Sequence, residues 1–464
     1  LAVISDALSG LTSDRLIQVL LLGWVFASFL QGVGGFGVPV AIVAPLLIGL
    51  GVTEVRAVVI PALGHSWAVT FGSLAASFIM LMNTTGLPGE KLAFAAAIML
   101  GALCYVMGLM CAHALDGWRG VRRAVPYVIV VATAMAAGQF LAATSGLWTI
   151  GAITGGLSGL VASVAWIRFR SRGTAAAPEP LPKSLPASGE GLDPIPPLAG
   201  EDPGMGASHA IQADPGPTQR PKPSIRLAFT SYVILIALAL ALRGIPPVKQ
   251  FLGRWAVSVD IPATTTSRDW TVPREENAGF GIPAHPGIVI LYSCVIAYLL
   301  YRRAGLYAPG AAQDILKQSG WRAIKAGIGV FMMVAIAATM ERAGMIEVLA
   351  NGMAGAVPGD LYAFIAPVIG ALGAFVTGSN VNSNAVFSVL QLNTAHLLAL
   401  SIYAILGAQT AAAAVISVMS PAKVAVGCST VGAEEGRVIR LLLGYGVVVI
   451  VLVGIMAWIG TTVF

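Results

Sequence analysis

Two stretches of the chain bring together groups that can hold a small anion away from water. The first is Gln31-Gly32-Val33-Gly34-Gly35-Phe36-Gly37-Val38-Pro39. The second is Gly370-Ala371-Leu372-Gly373-Ala374-Phe375-Val376-Thr377-Gly378-Ser379-Asn380, with Asn382, Ser383 and Asn384 just beyond it. Glycine and proline destabilise a helix, so each stretch predicts an interruption that leaves peptide N–H groups without partners. Such groups, at the positive end of a half-helix dipole, bind anions. Gly34, Gly35, Gly37 and Gly378 supply the exposed backbone. Thr377, Ser379 and Ser383 can donate hydroxyl hydrogens to a carboxylate or a 2-hydroxyl, and the amides of Gln31, Asn380, Asn382 and Asn384 can donate or accept. Asparagine is equally a favoured helix cap, and that alternative stays open for the three asparagines. Gly151, Gly155 and Gly159, at four-residue spacing, read as helix-packing contacts.

Three ionisable residues stand in or beside apolar runs. His65, in Pro61-Ala62-Leu63-Gly64-His65-Ser66-Trp67, has the side chain that changes charge near neutral pH and is a proton-coupling candidate. A neutral histidine hydrogen-bonded between helices is the competing reading. Glu341 is a second coupling candidate; with Arg342 it can instead mark the membrane edge. Lys423, close to Ser420-Pro421, can attract an anion or sit in a cytoplasmic cap. No nucleophile is paired with a base, and with five histidines and no HExxH pattern no metal spacing is evident. The cysteines, Cys104, Cys111, Cys294 and Cys428, lack paired spacing and read as packing residues. No catalytic residue, cofactor or metal is therefore expected.

Membrane helices must position these groups. Of the 464 residues 57% are hydrophobic and 10% charged, against about 25% charged in soluble domains, so lipid must cover much of the surface. The net charge of +6 does not point to nucleic acid, because the basic residues lie between apolar runs and do not form one stripe. That pattern orients a membrane protein. Segments of roughly 20 residues, enough to cross the hydrocarbon, are read at 16–30, 55–82, 91–115, 125–144, 147–167, 227–243, 287–301, 326–345, 360–376, 396–418 and 439–462. With re-entrant segments counted, the expectation is an all-α polytopic membrane protein of about 11–13 transmembrane helices. No small-residue cleavage site follows the first stretch, which is expected to stay as a helix. Trp24, Trp118, Trp148, Trp166, Trp321 and Trp458 fit interfacial anchoring.

Between an N-terminal half, 1–167, and a C-terminal half, 227–464, lies 168–226, rich in Pro, Gly, Ala and mixed charge. It reads as a disordered cytoplasmic linker. Arg168, Arg170 and Arg172 place its start inside; Arg119, Arg122 and Arg123 share that side, as do Arg302, Arg303, Lys317, Arg322 and Lys325. Loop 244–286, with balanced charge, faces outward. Because lipid tolerates unpaired backbone only where protein or a wet cavity surrounds it, interruptions in both halves point to a binding site of the secondary-transporter kind. The expected arrangement is two pseudo-symmetric inverted halves, each with a broken or re-entrant hairpin.

Four patches carry a family resemblance: Gly34 to Ile42, Arg243-Gly244-Ile245-Pro246-Pro247-Val248-Lys249, Leu372 through Asn384, and Ser420-Pro421 through Val431-Gly432. With these in order, the chain resembles the L-lactate permease family, which includes glycolate permeases. The resemblance implies an inner-membrane secondary transporter of small 2-hydroxy-monocarboxylates such as lactate and glycolate, coupled to protons, without chemical conversion. Its partners would be the small organic anion, a coupling proton or sodium ion, and membrane lipid, with homo-oligomers allowed and no nucleic acid. The chain departs from the family pattern at several positions. Gln31 stands where glutamate is familiar, Asn380 where aspartate is familiar, Ser417 where a lysine is familiar with Lys423 nearby, and His65 where asparagine is familiar. A transporter or channel for another anion, such as a sulfonate, and an intramembrane enzyme are the competing classes.

Overall fold

The computed structural model describes residues 11–35, 37–171, 225–244, 247–248, 251, 254–266, 271–272, 275–283, 286–307 and 310–463. Of the expected linker, only 168–171, which finish a helix, and 225–226, which begin the next, fall within these; the rest, with its cytoplasmic assignment, lies outside the described residues.

The apolar runs fold as helices, the state that satisfies a backbone within its own segment. In chain order they are α1 (Arg15–Val33), α2 (Val38–Gly49), α3 (Glu54–Ser66), α4 (Ala76–Thr85), α5 (Gly89–Thr144) and α6 (Gly151–Ser171). There follow α7 (Ile225–Gly244), α8 (Pro286–Arg303), α9 (Ala311–Arg342), α10 (Met345–Ala356) and α11 (Gly359–Thr377). The last are α12 (Asn380–Leu397), α13 (Ile402–Ser417), α14 (Pro421–Ser429) and α15 (Glu435–Val463). Among the described residues six helices are long and apolar enough to cross a membrane, seven if the pair bent by 71° at Arg342–Met345 counts as one. The 56 residues of α5 would span about 84 Å if wound straight at 1.5 Å per residue. Asp116 and Gly117 leave helical geometry near its middle, so its two arms cover the separately expected spans 91–115 and 125–144. The protein is thus an α-helical, multi-pass membrane protein. Its only strands among the described residues are short ribbons in the loop expected to face outward: β1 (Ala256–Ile261) pairs antiparallel with β4 (Glu275–Gly281), and β2 (Thr264–Thr265) with β3 (Thr271–Val272).

Several local expectations are corrected. The segment 55–82 is two helices separated by Trp67–Ala75, where Ser73, Leu74 and Ala75 take left-handed φ of 49°, 54° and 61°. The glycine-rich stretches are mostly helical: α1 runs through Gln31 and Gly32, and α11 through Gly370 to Thr377, so the true breaks are 34–37 and 378–379. Gly370 and Gly373 instead admit close neighbours, Gln409 and Phe387. Gly151, Gly155 and Gly159 do pack as read, against Phe71, Met135 and Met135 respectively. Trp24 is wholly buried, edge-on to Tyr127, and is no interfacial anchor; Trp118, Trp321 and Trp458 are exposed. Cys294 is exposed, while the other three cysteines are buried.

One element order occurs twice. Residues 15–116 run as spanning helix α1, break, α2, α3, break, α4 and the first arm of α5; residues 359–463 run as spanning helix α11, break, α12, α13, break at 418–420, α14 and α15. The packing is crossed in matching pairs: α4 lies on α12 as α14 lies on α2, and α3 touches α15 as α13 touches α5.

The 34–37 break is held against the Trp67–Ala75 break by a close approach. A Cβ on Gly35 would stand 2.3 Å from Ser73 Oγ but 3.5 Å from Ser73 Cβ. Gly35→Ala is therefore expected to destabilise the protein by about 1–3 kcal/mol, and Ser73→Ala in the same chain to restore most of that loss. Thermal unfolding of the purified single and double variants checks this; a double variant no better than Gly35→Ala contradicts the contact.

Candidate functional site

The site is built around the first turns of α12. Ser379 caps this helix, its hydroxyl oxygen accepting from the Asn382 backbone N–H. The asparagines behind it are thereby released from capping, and two of them reach across helices. Asn380 Nδ2 donates to Thr70 Oγ1 at 3.1 Å and lies 3.4 Å from Thr410 Oγ1. Asn384 Nδ2 donates to the Ser77 carbonyl at 2.9 Å and to Thr410 Oγ1 at 3.0 Å, and Asn384 Oδ1 accepts from Gln409 Nε2 at 3.3 Å. Ser388, on the next turn of α12, meets Thr84 Oγ1 of α4 at 2.6 Å. Thr70 lies in the Trp67–Ala75 break, so this buried network ties a break in the first half to one in the second.

Thr70, Ser77, Gln409 and Thr410 escaped the sequence reading. Their signal was weak: each is a single polar residue in an apolar run, and only Gln409-Thr410, embedded among alanines, stands out.

The Gly34–Gly37 break approaches its counterpart through two intermediaries. Gly35 faces Ser73. Gly37, in left-handed conformation at φ 83°, packs on Val426 and approaches the Lys423 carbonyl, while Gly378, at φ 65°, lies against Ser420 Oγ. Both breaks thus converge on a third, at the α13–α14 junction. Gly34, Gly35, Ser73, Thr377 and Ser379 are only half-buried, which leaves the junction accessible.

Several polar groups here have no protein partner. Gln31 is 3% exposed and its amide makes no hydrogen bond among the described residues. Asn382 Oδ1, Gln409 Oε1 and Ser420 Oγ are buried and have no partner among the described residues. Each such group is costly unless something supplies the missing bond. Other candidates are already engaged: Thr377 Oγ1 donates to the Gly373 carbonyl and Ser383 Oγ to the Gly370 carbonyl, each at 2.7 Å.

Lys423, in the first turn of α14, is buried, and its ammonium donates to Ser417 Oγ at 3.2 Å. His65 is buried in the last turn of α3 with Nδ1 against the Pro61 carbonyl. Glu341 stands elsewhere, at the bend between α9 and α10; its neighbour Arg342 donates to the Pro262 carbonyl and Thr264 Oγ1 of the ribbon loop. Among the described residues no group of three or more His, Cys, Asp or Glu could hold a metal.

No solved structure matches the chain. It is similar over 98% of its length to the L-lactate permease of Salmonella typhimurium, at 26% identity and covering 79% of that protein. It is 25% identical to a glycolate permease of Escherichia coli and 23% identical to the L-lactate permease of Bacillus subtilis, in each case over its whole length and 81% of the relative. The bacterial origin of these proteins and the apolar helices of this one make it a multi-pass protein of the inner membrane. The model of the L-lactate permease family matches residues 1–464, and the chain belongs to that family.

Proposed function

We propose that the protein is a secondary transporter carrying small 2-hydroxy-monocarboxylates, lactate or glycolate, across the inner membrane by proton symport. The observation that carries this reading is the convergence of three helix breaks around buried amides and hydroxyls whose own hydrogen bonds are incomplete. A carboxylate leaving water needs strong replacement bonds. Gln31, the peptide groups of Gly34, Gly35 and Gly37, and Ser420 line the junction from three sides. Ser379, Asn380, Asn382 and Asn384 close it from α12, and Thr377, Gly378 and Ser383 fix the backbone there. Lys423 supplies the compensating positive charge. The resemblance puts a lysine at position 417; here the Lys423 ammonium sits on the Ser417 hydroxyl, so the charge reaches the same place from the following helix.

His65, buried in α3, is the first choice for the group that follows the proton; Glu341, at the α9–α10 bend, is the second. The repeated element order and crossed packing support two inverted repeats, 15–116 and 359–463. Alternating access would follow from one bundle rocking against the other around the junction. No chemical conversion is part of this reading: the named relatives are permeases.

Proteoliposomes loaded with the purified protein test the reading. Saturable uptake of labelled lactate or glycolate, stimulated by an inward proton gradient, is the expected result. Non-saturating downhill flux would indicate a channel, conversion without movement an enzyme, and preference for a sulfonate a different anion transporter.

Replacing Gln31 or Asn380 with Ala is expected to raise the uptake KM about tenfold, the effect of losing one bond to a charged group, in protein that still unfolds cooperatively. Unchanged kinetics in both variants would remove these residues from the site.

His65→Asn is expected to flatten the pH dependence of uptake, while Glu341→Gln serves as the parallel measurement. A His65→Asn profile identical to the parent's assigns coupling elsewhere.

A further inference from the structure

A cluster of arginines stands apart from the helix breaks, around the start of α1. A cavity of about 370 Å³ is lined by Arg15, Arg56 and Arg123 together with Asp116 and Thr53. Three elements meet there: the start of α1, the loop leading into α3, and the bend of α5 at Asp116–Gly117. Arg123 pairs with Asp14 across 3.3 Å. Arg15 and Arg56 have no carboxylate partner among the described residues; each donates to a backbone carbonyl, that of Gly51 and that of Leu115. Each of those bonds occupies one nitrogen of a guanidinium that carries five donors.

The surrounding backbone adds to the positive potential. The N-termini of α1 and α3 both open on the cavity; the Asp14 carboxylate caps α1, while Thr53, which caps α3, makes no side-chain capping bond. Helix starts favour anions. Three arginines against Asp116 in the lining and Asp14 on Arg123 leave a net positive pocket, with Arg15 and Arg56 carrying the excess, and guanidinium groups match phosphate oxygens two at a time. The α5 bend is also where the basic run Arg119, Arg122 and Arg123 marks the cytoplasmic side. Basic pockets between helices on that side suit anionic headgroups.

We propose that this cavity binds a phosphoryl anion, carried by a phospholipid headgroup or free in the cytoplasm. Its position gives binding a consequence. From the cavity α1 runs to Gln31 and the Gly34 break, and α3 runs to His65 and the Trp67 break. An anion bridging Arg15 and Arg56 therefore clamps together the outer ends of the two helices that deliver the first-half contribution to the junction, and links them through Arg123 to the second arm of α5. The ligand acts as a brace for the transport bundle.

The test uses the full chain in detergent, followed by thermal unfolding during titration with short-chain phosphatidylglycerol, inorganic phosphate, or phosphatidylcholine with the same acyl chains. Stabilisation by phosphatidylglycerol beyond phosphatidylcholine is expected, with half-saturation weakened about tenfold or more in Arg15→Gln and Arg56→Gln, in keeping with loss of a charge-assisted bond. Thr53→Glu keeps every arginine and puts a negative charge in the cavity; it is expected to abolish the effect even if an arginine variant fails to fold. Stabilisation by phosphatidylglycerol alone assigns the site to lipid, and stabilisation by phosphate as well assigns it to a free anion. Absence of stabilisation by both, or equal stabilisation of the parent and Thr53→Glu, overturns the proposal.

Discussion

Every helix that stops inside a bilayer leaves peptide groups that lipid cannot satisfy, and this constraint governs the fold. The chain stops helices at 34–37, 67–75, 378–379 and 418–420, and none of these ends is left to lipid. Gly35 lies against Ser73, Gly37 against α14, and Gly378 against Ser420. The asparagines of α12 pull Thr70 and Ser77 towards Thr410. The four ends shelter one another, and at their meeting point buried polar atoms of Asn382, Gln409 and Ser420 have no partner among the described residues.

Backbone strain is concentrated in the same place. Ser73, Leu74 and Ala75 lie in succession in the left-handed region, which costs of order 1–3 kcal/mol for each such residue. Residues on both sides hold this turn: Thr70 is bonded from Asn380, and Phe78 N–H returns to the Thr70 carbonyl. A short wide-turned segment, Leu21–Phe26, interrupts the regular winding of α1 on the way to the same junction. Strain secured by long-range bonds suits an element that must take up two arrangements in a transport cycle.

Much of this was legible in the residues. Apolar length gave the membrane class and most of the spans, and glycine density located the breaks at 34–37 and 378–379 to within a few positions. It overestimated their extent, because Gly370 and Gly373 serve helix contact, and composition does not separate a packing glycine from an unwound one. The Trp67–Ala75 break was invisible: besides Gly72 its only polar residues are Thr70 and Ser73, no proline marks it, and its left-handed turn falls on Ser73, Leu74 and Ala75, not on a glycine. Thr70, Gln409 and Thr410 were missed for the same reason, since a lone hydroxyl or amide in an apolar run acquires meaning only from what faces it. The buried position of Trp24 likewise follows from the bundle, where α1 is surrounded by protein and not by lipid.

The crossed seating of the two halves also bears on how the protein is made. Thr70 and Ser77 are separated by more than 300 residues from the asparagines that bind them, so during synthesis they reach the bilayer long before their partners leave the ribosome. For that interval the nascent first half carries an open turn, a bare Thr70 hydroxyl and an unmet Ser77 carbonyl. Those groups must be covered by other protein or stay near the headgroups until α12 and α13 are in place.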